Sequence, residues 1–335
     1  MDLAWYALLG LFFATYLVLA GYDYGVGLLL ARGIGPAGRR GALNALGPFF
    51  LGNEVWLVAA VGILFGAFPL LEGELLAGCY PAVAGALVGV VLVTAGVQLR
   101  SRSADERIRA RWDRVVIVGS MLAALGWGVL LAALLQGVPR QADGHVAGVS
   151  HLATPFAAAA GLAMLALVAV HGATFLTLRL PAADAVVVGR TARRLVPVAL
   201  SAVALATVVG LLSARVRDAV QRPTLGVLLP VLLVGALLAA RAALARRRPG
   251  WALVATGTAL ALPVALVGAA LWPYVLVSTT DPAASLTVAD AAASTPTLRL
   301  LTWVALPLLP ALLGFQAMCW WVFRGRTDGR APVYW

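Results

Sequence analysis

The chain is dominated by apolar runs of about twenty residues, the length that crosses roughly 30 Å of hydrocarbon at 1.5 Å per helical residue. Nine runs are read, at approximately 4–30, 44–69, 78–99, 115–136, 154–178, 195–213, 224–243, 251–277 and 298–323. Hydrophobic residues make up 62% of the chain and charged residues 12%, where soluble domains carry about 25% charged residues. The mean hydropathy is +0.94. The expected fold is all-α: a polytopic helical membrane protein, one membrane domain over 1–335. Spans one and five both hold polar residues near one end, Asp23 in the first and His171-Gly172-Ala173-Thr174 in the fifth. That suggests two four-helix bundles plus one peripheral helix.

The formal charge of +11 carries no lysine, and the arginines sit in short clusters between apolar runs. This is the pattern of topology signals rather than of a nucleic-acid surface, which is contiguous on a soluble face. With the N-terminus outside, the inner loops hold Arg32, Arg39 and Arg40, the cluster Arg100–Arg114, then Arg179, Arg190, Arg193 and Arg194. Arg241, Arg246 to Arg248, Arg324, Arg326 and Arg330 complete the inner set. Arg140, Arg215, Arg217, Arg222 and Arg299 remain outside. The bias predicts N-terminus out and C-terminus in.

The first residues, Met1-Asp2-Leu3-Ala4-Trp5, lack a basic n-region and a cleavage site, so the first run is expected to be kept as a helix. Cys79 and Cys319 have no metal-ligand spacing and fall near opposite faces, so no disulfide is expected. Tryptophans near span ends, among them Trp5, Trp112, Trp251, Trp272, Trp320 and Trp321, read as an interfacial belt. The outer loop 136–154 is polar, with His145 and His151 expected to be solvated. The outer loop 278–297 is expected to hold a small surface helix.

Two acids stand inside apolar spans: Asp23, in Gly21-Tyr22-Asp23-Tyr24-Gly25, and Glu54, in Gly52-Asn53-Glu54-Val55-Trp56. If span two starts at Pro48, both acids lie roughly 10 Å from the same face by helical rise. Intramembrane acids face bundle interiors or water paths, so Asp23, Glu54 and the neighbouring donor Asn53 read either as a proton path or as a polar clamp between helices. His171 reads as a hydrogen-bonded helix contact or as a ligand or proton carrier. Trp56 and Trp127 lie deeper than the belt and, with Arg100 and His171, are candidates for packing against a partner, a lipid or a quinone. No catalytic residue and no metal site is assigned to the chain.

In this order and spacing, several stretches resemble subunit II of the cytochrome bd-type quinol oxidases. They are GYDYGVGLL, LGNEVWLVAAVGILFGAFP, QLRSR with the basic segment ending in Trp112-Asp113, LLQGVP, HGATFL, WPYVLVSTTDPAASLTVADAAASTPTLRLLTWV and MCWWVFRGR. The resemblance implies a haem-bearing subunit I as partner in a bacterial cytoplasmic membrane, as a heterodimer. It implies a complex that oxidises quinol, reduces dioxygen to water and takes protons from the cytoplasm. Haems b and d are then expected in the partner and no cofactor on this chain alone, with a quinone bound in some members. The chain would stabilise subunit I and contribute a proton path. Three acidic positions of the family pattern are replaced here, by Ala20, Leu51 and Gln98, and the family's arginine in span three by Thr94, while Arg100 is retained. These losses leave an alternative open: a scaffold or assembly protein, or a small-molecule transporter, of the same fold.

Overall fold

The computed structural model describes residues 1–31, 34, 38–103 and 105–327. Arg32 and Arg330, assigned to the inner face from sequence, lie outside the described residues. In chain order the elements are α1 (Asp2–Leu29), α2 (Gly38–Leu46), α3 (Phe50–Ala67), α4 (Pro69–Gly78), α5 (Tyr80–Arg100), α6 (Glu106–Leu135), α7 (Pro155–Arg179), α8 (Ala182–Leu212) and α9 (Ala214–Ala219). They continue with α10 (Pro223–Ala245), α11 (Pro249–Ala270), β1 (Tyr274–Leu276), β2 (Leu286–Thr287), α12 (Val288–Ala291) and α13 (Thr295–Val322). Among the described residues, nine helices (α1, α3, α5, α6, α7, α8, α10, α11 and α13) are long and apolar enough to cross a membrane.

Helix starts follow local chemistry. Asp105 caps α6 by accepting from Arg107 N, Thr154 caps α7 by accepting from Ala157 N, and a proline opens α4, α5, α7, α10, α11 and α13. Four boundaries differ from the hydropathy reading, each because the edge of an apolar run marks the membrane rather than the helix. The second span starts at Phe50, not at residue 44 or Pro48, because Gly47-Pro48-Phe49 form a turn between α2 and α3. α6 takes in Arg107 to Arg114, and α8 takes in Arg190 to Arg194, so both clusters expected in loops lie on helices that project beyond the apolar zone. The run expected to end at 277 is helical only to Ala270. Its remainder turns and forms β1, paired antiparallel with β2 (Tyr274 opposite Thr287). The expected surface helix is the four-residue α12, entered from that hairpin.

The two long loops, 136–154 and 278–297, brace each other. Val138 N donates to Val277 O, Thr279 N to Val138 O, and the Arg140 guanidinium to Ala284 O at 2.5 Å. Within the membrane zone α1 is central, packing on α3, α6, α7 and α11. α5 pairs with α6, α7 with α8, and α10 with α11. α1 and α7 cross where Gly25 meets Gly172: a Cβ on Gly25 would come within 1.9 Å of Val168 O, so only glycine permits the approach. α13 stands at the edge against α3, with 6% of its most apolar window buried. Its ends are fixed instead: Ala293 N donates to Ala67 O, and Arg179 of α7 donates to the carbonyls of Phe323 and Gly325 while stacking over Phe49. Cys79 and Cys319 are both free thiols.

Candidate functional site

Asp23 sits on the buried side of α1, 2% exposed. Its Oδ2 accepts from Asn53 Nδ2 of α3 at 2.9 Å, and the same amide exchanges hydrogen bonds with the Tyr22 hydroxyl (2.8 and 3.1 Å). Asn53 is thus the hinge of the polar cluster, and its 0% exposure leaves it no solvent alternative. Glu54 belongs to a neighbouring but separate arrangement. Its Oε1 accepts from the Thr94 hydroxyl of α5, and the residue is half-buried rather than enclosed. The two acids therefore hang from different donors on adjacent helices, with Asn53 between them, and the structure records no hydrogen bond from one to the other. Because α3 begins at Phe50, Glu54 lies in its second turn, nearer the helix end than a start at Pro48 would put it.

His171 on α7 is enclosed and bonded at both ring nitrogens: Nδ1 to the Thr256 hydroxyl of α11 at 2.7 Å and Nε2 to Val18 O of α1 at 2.9 Å. Val18 O can only accept, so Nε2 carries the proton and Nδ1 accepts from Thr256. Neither nitrogen is presented to an iron, so the residue does not fit as a haem ligand in this state. Among the described residues no group of three His, Cys, Asp or Glu side chains converges as a metal site.

Of the other residues singled out from sequence, Arg100 forms a 2.5 Å ion pair with Asp113 on α6, which Arg39 also meets at 3.1 Å. Trp56 donates to Gln316 Oε1 of α13 at 3.2 Å and packs on Phe12. Both are engaged inside the chain. At the replaced acid positions, Ala20 is buried, Gln98 half-buried, and Leu51 turned outward with 47% exposure, away from Asp23.

Several functional-looking groups had no signal strong enough to single them out. Tyr16 and Tyr24 share a hydrogen bond between their hydroxyls, and Trp127 Nε1 donates to Tyr16 at 3.2 Å. Tyr24, a candidate partner for Asp23 by its place in the sequence, bonds to Tyr16 instead. Thr94, seen only as a replaced family position, is the partner of Glu54. His151, expected to be solvated, is 4% exposed beside Arg215, and burial followed by that positive charge pushes its pKa below the usual histidine value. His145 does lie at the surface, 3.2 Å from Glu74.

A cavity of about 1030 Å³ lies among α1, α3, α4, α5, α6 and α11. Its walls are almost wholly apolar, with Phe13, Leu64 and Leu131 typical, while Tyr6, Arg222, Thr258 and Trp272 are among its few polar-bearing residues and Trp127 forms part of one wall. The hollow is open at its side, where Leu3, Leu11 and Phe65 are exposed, and apolar walls with sparse polar groups suit a long-chain, lipid-like molecule.

Comparison with known proteins gives the context for this geometry. The family model described as cytochrome bd terminal oxidase subunit II matches residues 1–323. Cytochrome bd ubiquinol oxidase subunit 2 of Bacillus subtilis (strain 168) is 31% identical over 338 residues, 98% of this chain and 97% of the relative. Cytochrome bd-I ubiquinol oxidase subunit 2 of Escherichia coli (strain K12) is 33% identical over 181 residues, 52% of this chain, and the match spans about half (48%) of that relative's length. A solved structure of bd oxidase from Geobacillus thermodenitrificans superposes with a TM-score of 0.72 at 18% identity, covering 95% of this chain and 98% of the other, a likeness of fold. Nine helices long and apolar enough to cross a membrane among the described residues, a family match over residues 1–323 and a relative 31% identical over 98% of this chain converge: the chain belongs to the cytochrome bd terminal oxidase subunit II family.

Proposed function

We propose that this chain is the non-haem subunit of a quinol:oxygen oxidoreductase in a bacterial cytoplasmic membrane, acting as one membrane domain beside a haem-bearing subunit I. Haems b and d belong to that partner, quinol and dioxygen are the substrates of the complex, and no nucleic acid is involved. The chain stabilises the partner and holds two proton-handling acids on separate donors, Asp23 on Asn53 and Glu54 on Thr94. The apolar cavity is the place for a quinone or another lipid.

The observation that carries this reading is α13. A 28-residue apolar helix fixed at both ends but buried over 6% of its most apolar window, with Trp303 (75% exposed) and Leu306 outward, is built to be covered by something other than its own chain. Lipid alone would cover it too, so the test must detect the partner. Co-expression with the adjacent gene, purification through a tag on this chain, and a reduced-minus-oxidised spectrum with oxygen uptake on added quinol would do so. Haem absorbance with quinol-dependent uptake is the expected result.

A second reading is favoured by the replaced acids at Ala20, Leu51 and Gln98. A scaffold or a small-molecule transporter of the same fold would purify alone, colourless and without uptake.

A further inference from the structure

Three exposed arginines, Arg215, Arg217 and Arg222, fall within eight residues at the turn from α8 into α10, with Asp218 the one acid among them. Among the described residues none of the three forms an ion pair. The arginine bias puts this turn outside, where the positive-inside rule gives such a cluster no purpose. In α9, Val216 and Ala219 are buried. At about 100° per residue, Arg215 and Arg217 flank that inward face and Asp218 points away from it. The Arg217 guanidinium is further placed by donating to Leu211 O at 2.8 Å. Donors are in excess here: His151, in the loop entering α7 at the same end, is 4% exposed with no partner at either ring nitrogen among the described residues. Beneath the turn lies a second apolar hollow of about 140 Å³, among α6 to α11. Val216 and Leu211 form part of its wall, and Leu211 is 51% exposed, so the hollow opens outward beside Arg217. Pro230 inside α10 and Pro263 inside α11 also line it, and mid-helix prolines bend helices out of flush packing. Along α7 it runs from Phe156 to Leu167. That is roughly 16 Å of helical rise, the depth of one leaflet of a ~30 Å hydrocarbon core.

We propose that this end of the chain binds one anionic phospholipid, its phosphate on Arg215 and Arg217 and one acyl chain in the hollow among α7, α8, α10 and α11. Each part of the site matches one part of that ligand. Phosphate oxygens accept charged hydrogen bonds, which suits guanidinium groups that have no carboxylate partner. An acyl chain suits an apolar wall that reaches one leaflet deep. The second chain lies on the outer faces of α8 and α10, where Leu212 is 74% and Val227 52% exposed. A quinone has no charge to meet the arginines, and a zwitterionic lipid brings a cation of its own to them, so the site selects the anionic class. Arg222, on the rim of the larger cavity, adds positive charge without being part of the contact. A lipid seated in this way joins α7, α8, α10 and α11 at one membrane face. The inference concerns a lipid site and stands apart from the oxidase reading.

The test is native mass spectrometry of the delipidated complex, or of the chain alone if it purifies without a partner. The sample is titrated with phosphatidylglycerol and, separately, with phosphatidylcholine of the same chains. Lipid sites on a partner are common to all samples, so the reading is the difference between wild type and variants. One phosphatidylglycerol per chain is expected to weaken in the double variant Arg215→Gln, Arg217→Gln, its Kd rising roughly thirtyfold at about fivefold per arginine. Ala206→Phe, which puts a ring into the hollow, is expected to weaken the same lipid with both arginines in place. If Ala206→Phe fails to assemble, Thr207→Leu on the same wall decides by the same criterion. Inorganic phosphate in large excess is expected not to displace the lipid, because it has no chain to seat. Equal binding of the two lipids, unchanged binding in the arginine variant, or displacement by free phosphate overturns the proposal. So does binding that needs the arginines but not the hollow, which would be attraction of any anionic headgroup to a charged surface, and so does a quinone retained in the hollow instead.

Discussion

Asn53 ties α3 to α1 through a single amide: its donors reach Asp23, Tyr22 and Leu19 O, and no water-exposed conformation is open to it. Asn53→Leu keeps the bulk and strands a carboxyl oxygen and a hydroxyl, each costing about 1–3 kcal/mol when buried without a partner. The variant is expected to unfold at a clearly lower temperature in detergent, and an unchanged melting curve would mean that Asp23 has another donor. Glu54→Gln keeps an acceptor for Thr94 but removes the ionisable group. Quinol-dependent oxygen uptake is expected to fall on the order of tenfold or more if the group moves protons, and normal uptake in an assembled complex would reduce it to a helix tie. His151 gives a pH prediction. Its pKa is held low by burial and by Arg215, so stability is complete above the unfolded histidine value of about 6.5. It declines as pH falls from there toward the lowered folded value, because the unfolded chain takes up the proton first. Melting temperatures at pH 7.5 and 5.5 should differ more in the wild type than in His151→Gln. The tie from Asn53 to Asp23 could be expected from residue type, whereas the bond from Thr94 to Glu54 and the burial of His151 could not. Asp23 and Glu54 stand out in an apolar sequence because charge there is costly, whereas Tyr16, Tyr24 and Thr94 look like ordinary membrane residues until packing brings them together.

At the scale of the helices, hydropathy locates all nine spans because twenty apolar residues have few alternatives in a bilayer, but it locates their ends poorly. α6 and α8 run on through arginine clusters because Asp105 caps the first and because arginine favours the helix almost as well as leucine. The β1–β2 hairpin was hidden because Tyr274-Val275-Leu276-Val277 is as apolar as the span it follows. The exit of α13 was legible as a motif, MCWWVFRGR, yet its anchor lies 144 residues away: Arg179, which holds the Phe323 and Gly325 carbonyls while Phe49 takes the face of its guanidinium. Hydrogen bonds from a charged donor are worth about 1.5–3 kcal/mol each. Arg179→Gln is therefore expected to free the end of α13 without unfolding the other helices. Limited proteolysis should cut near 323–327 in the variant and not in the wild type. Equal resistance would show that the Trp56–Gln316 bond and the packing of Trp320 on Phe49 hold the helix by themselves.

For the whole molecule, the positive-inside assignment rests on twenty inner arginines against five outer ones, and the outer five need a reason to be there. Two of them have one in the structure. Arg140 spans the two outer loops to reach Ala284 O, and Arg217 closes the end of α8 by donating to Leu211 O at 2.8 Å. Arg222 lies on the rim of the apolar cavity. These side chains serve local geometry, so they weigh little against a bias set by loop charge near helix ends. The orientation that follows has the 136–154 and 278–297 loops outside and the α5–α6 connection inside. It can be tested with a membrane-impermeant thiol reagent on intact cells, in a background of Cys79→Ala and Cys319→Ala. Asp143→Cys, in the exposed loop between α6 and α7, is expected to label before the cells are broken. Ser103→Cys, between α5 and α6, should label only after lysis. The reverse pattern would invert the molecule. The Asp23–Asn53 cluster and the last turns of α1 would then face the outside, and protons could not reach Asp23 from the cytoplasm by the short way.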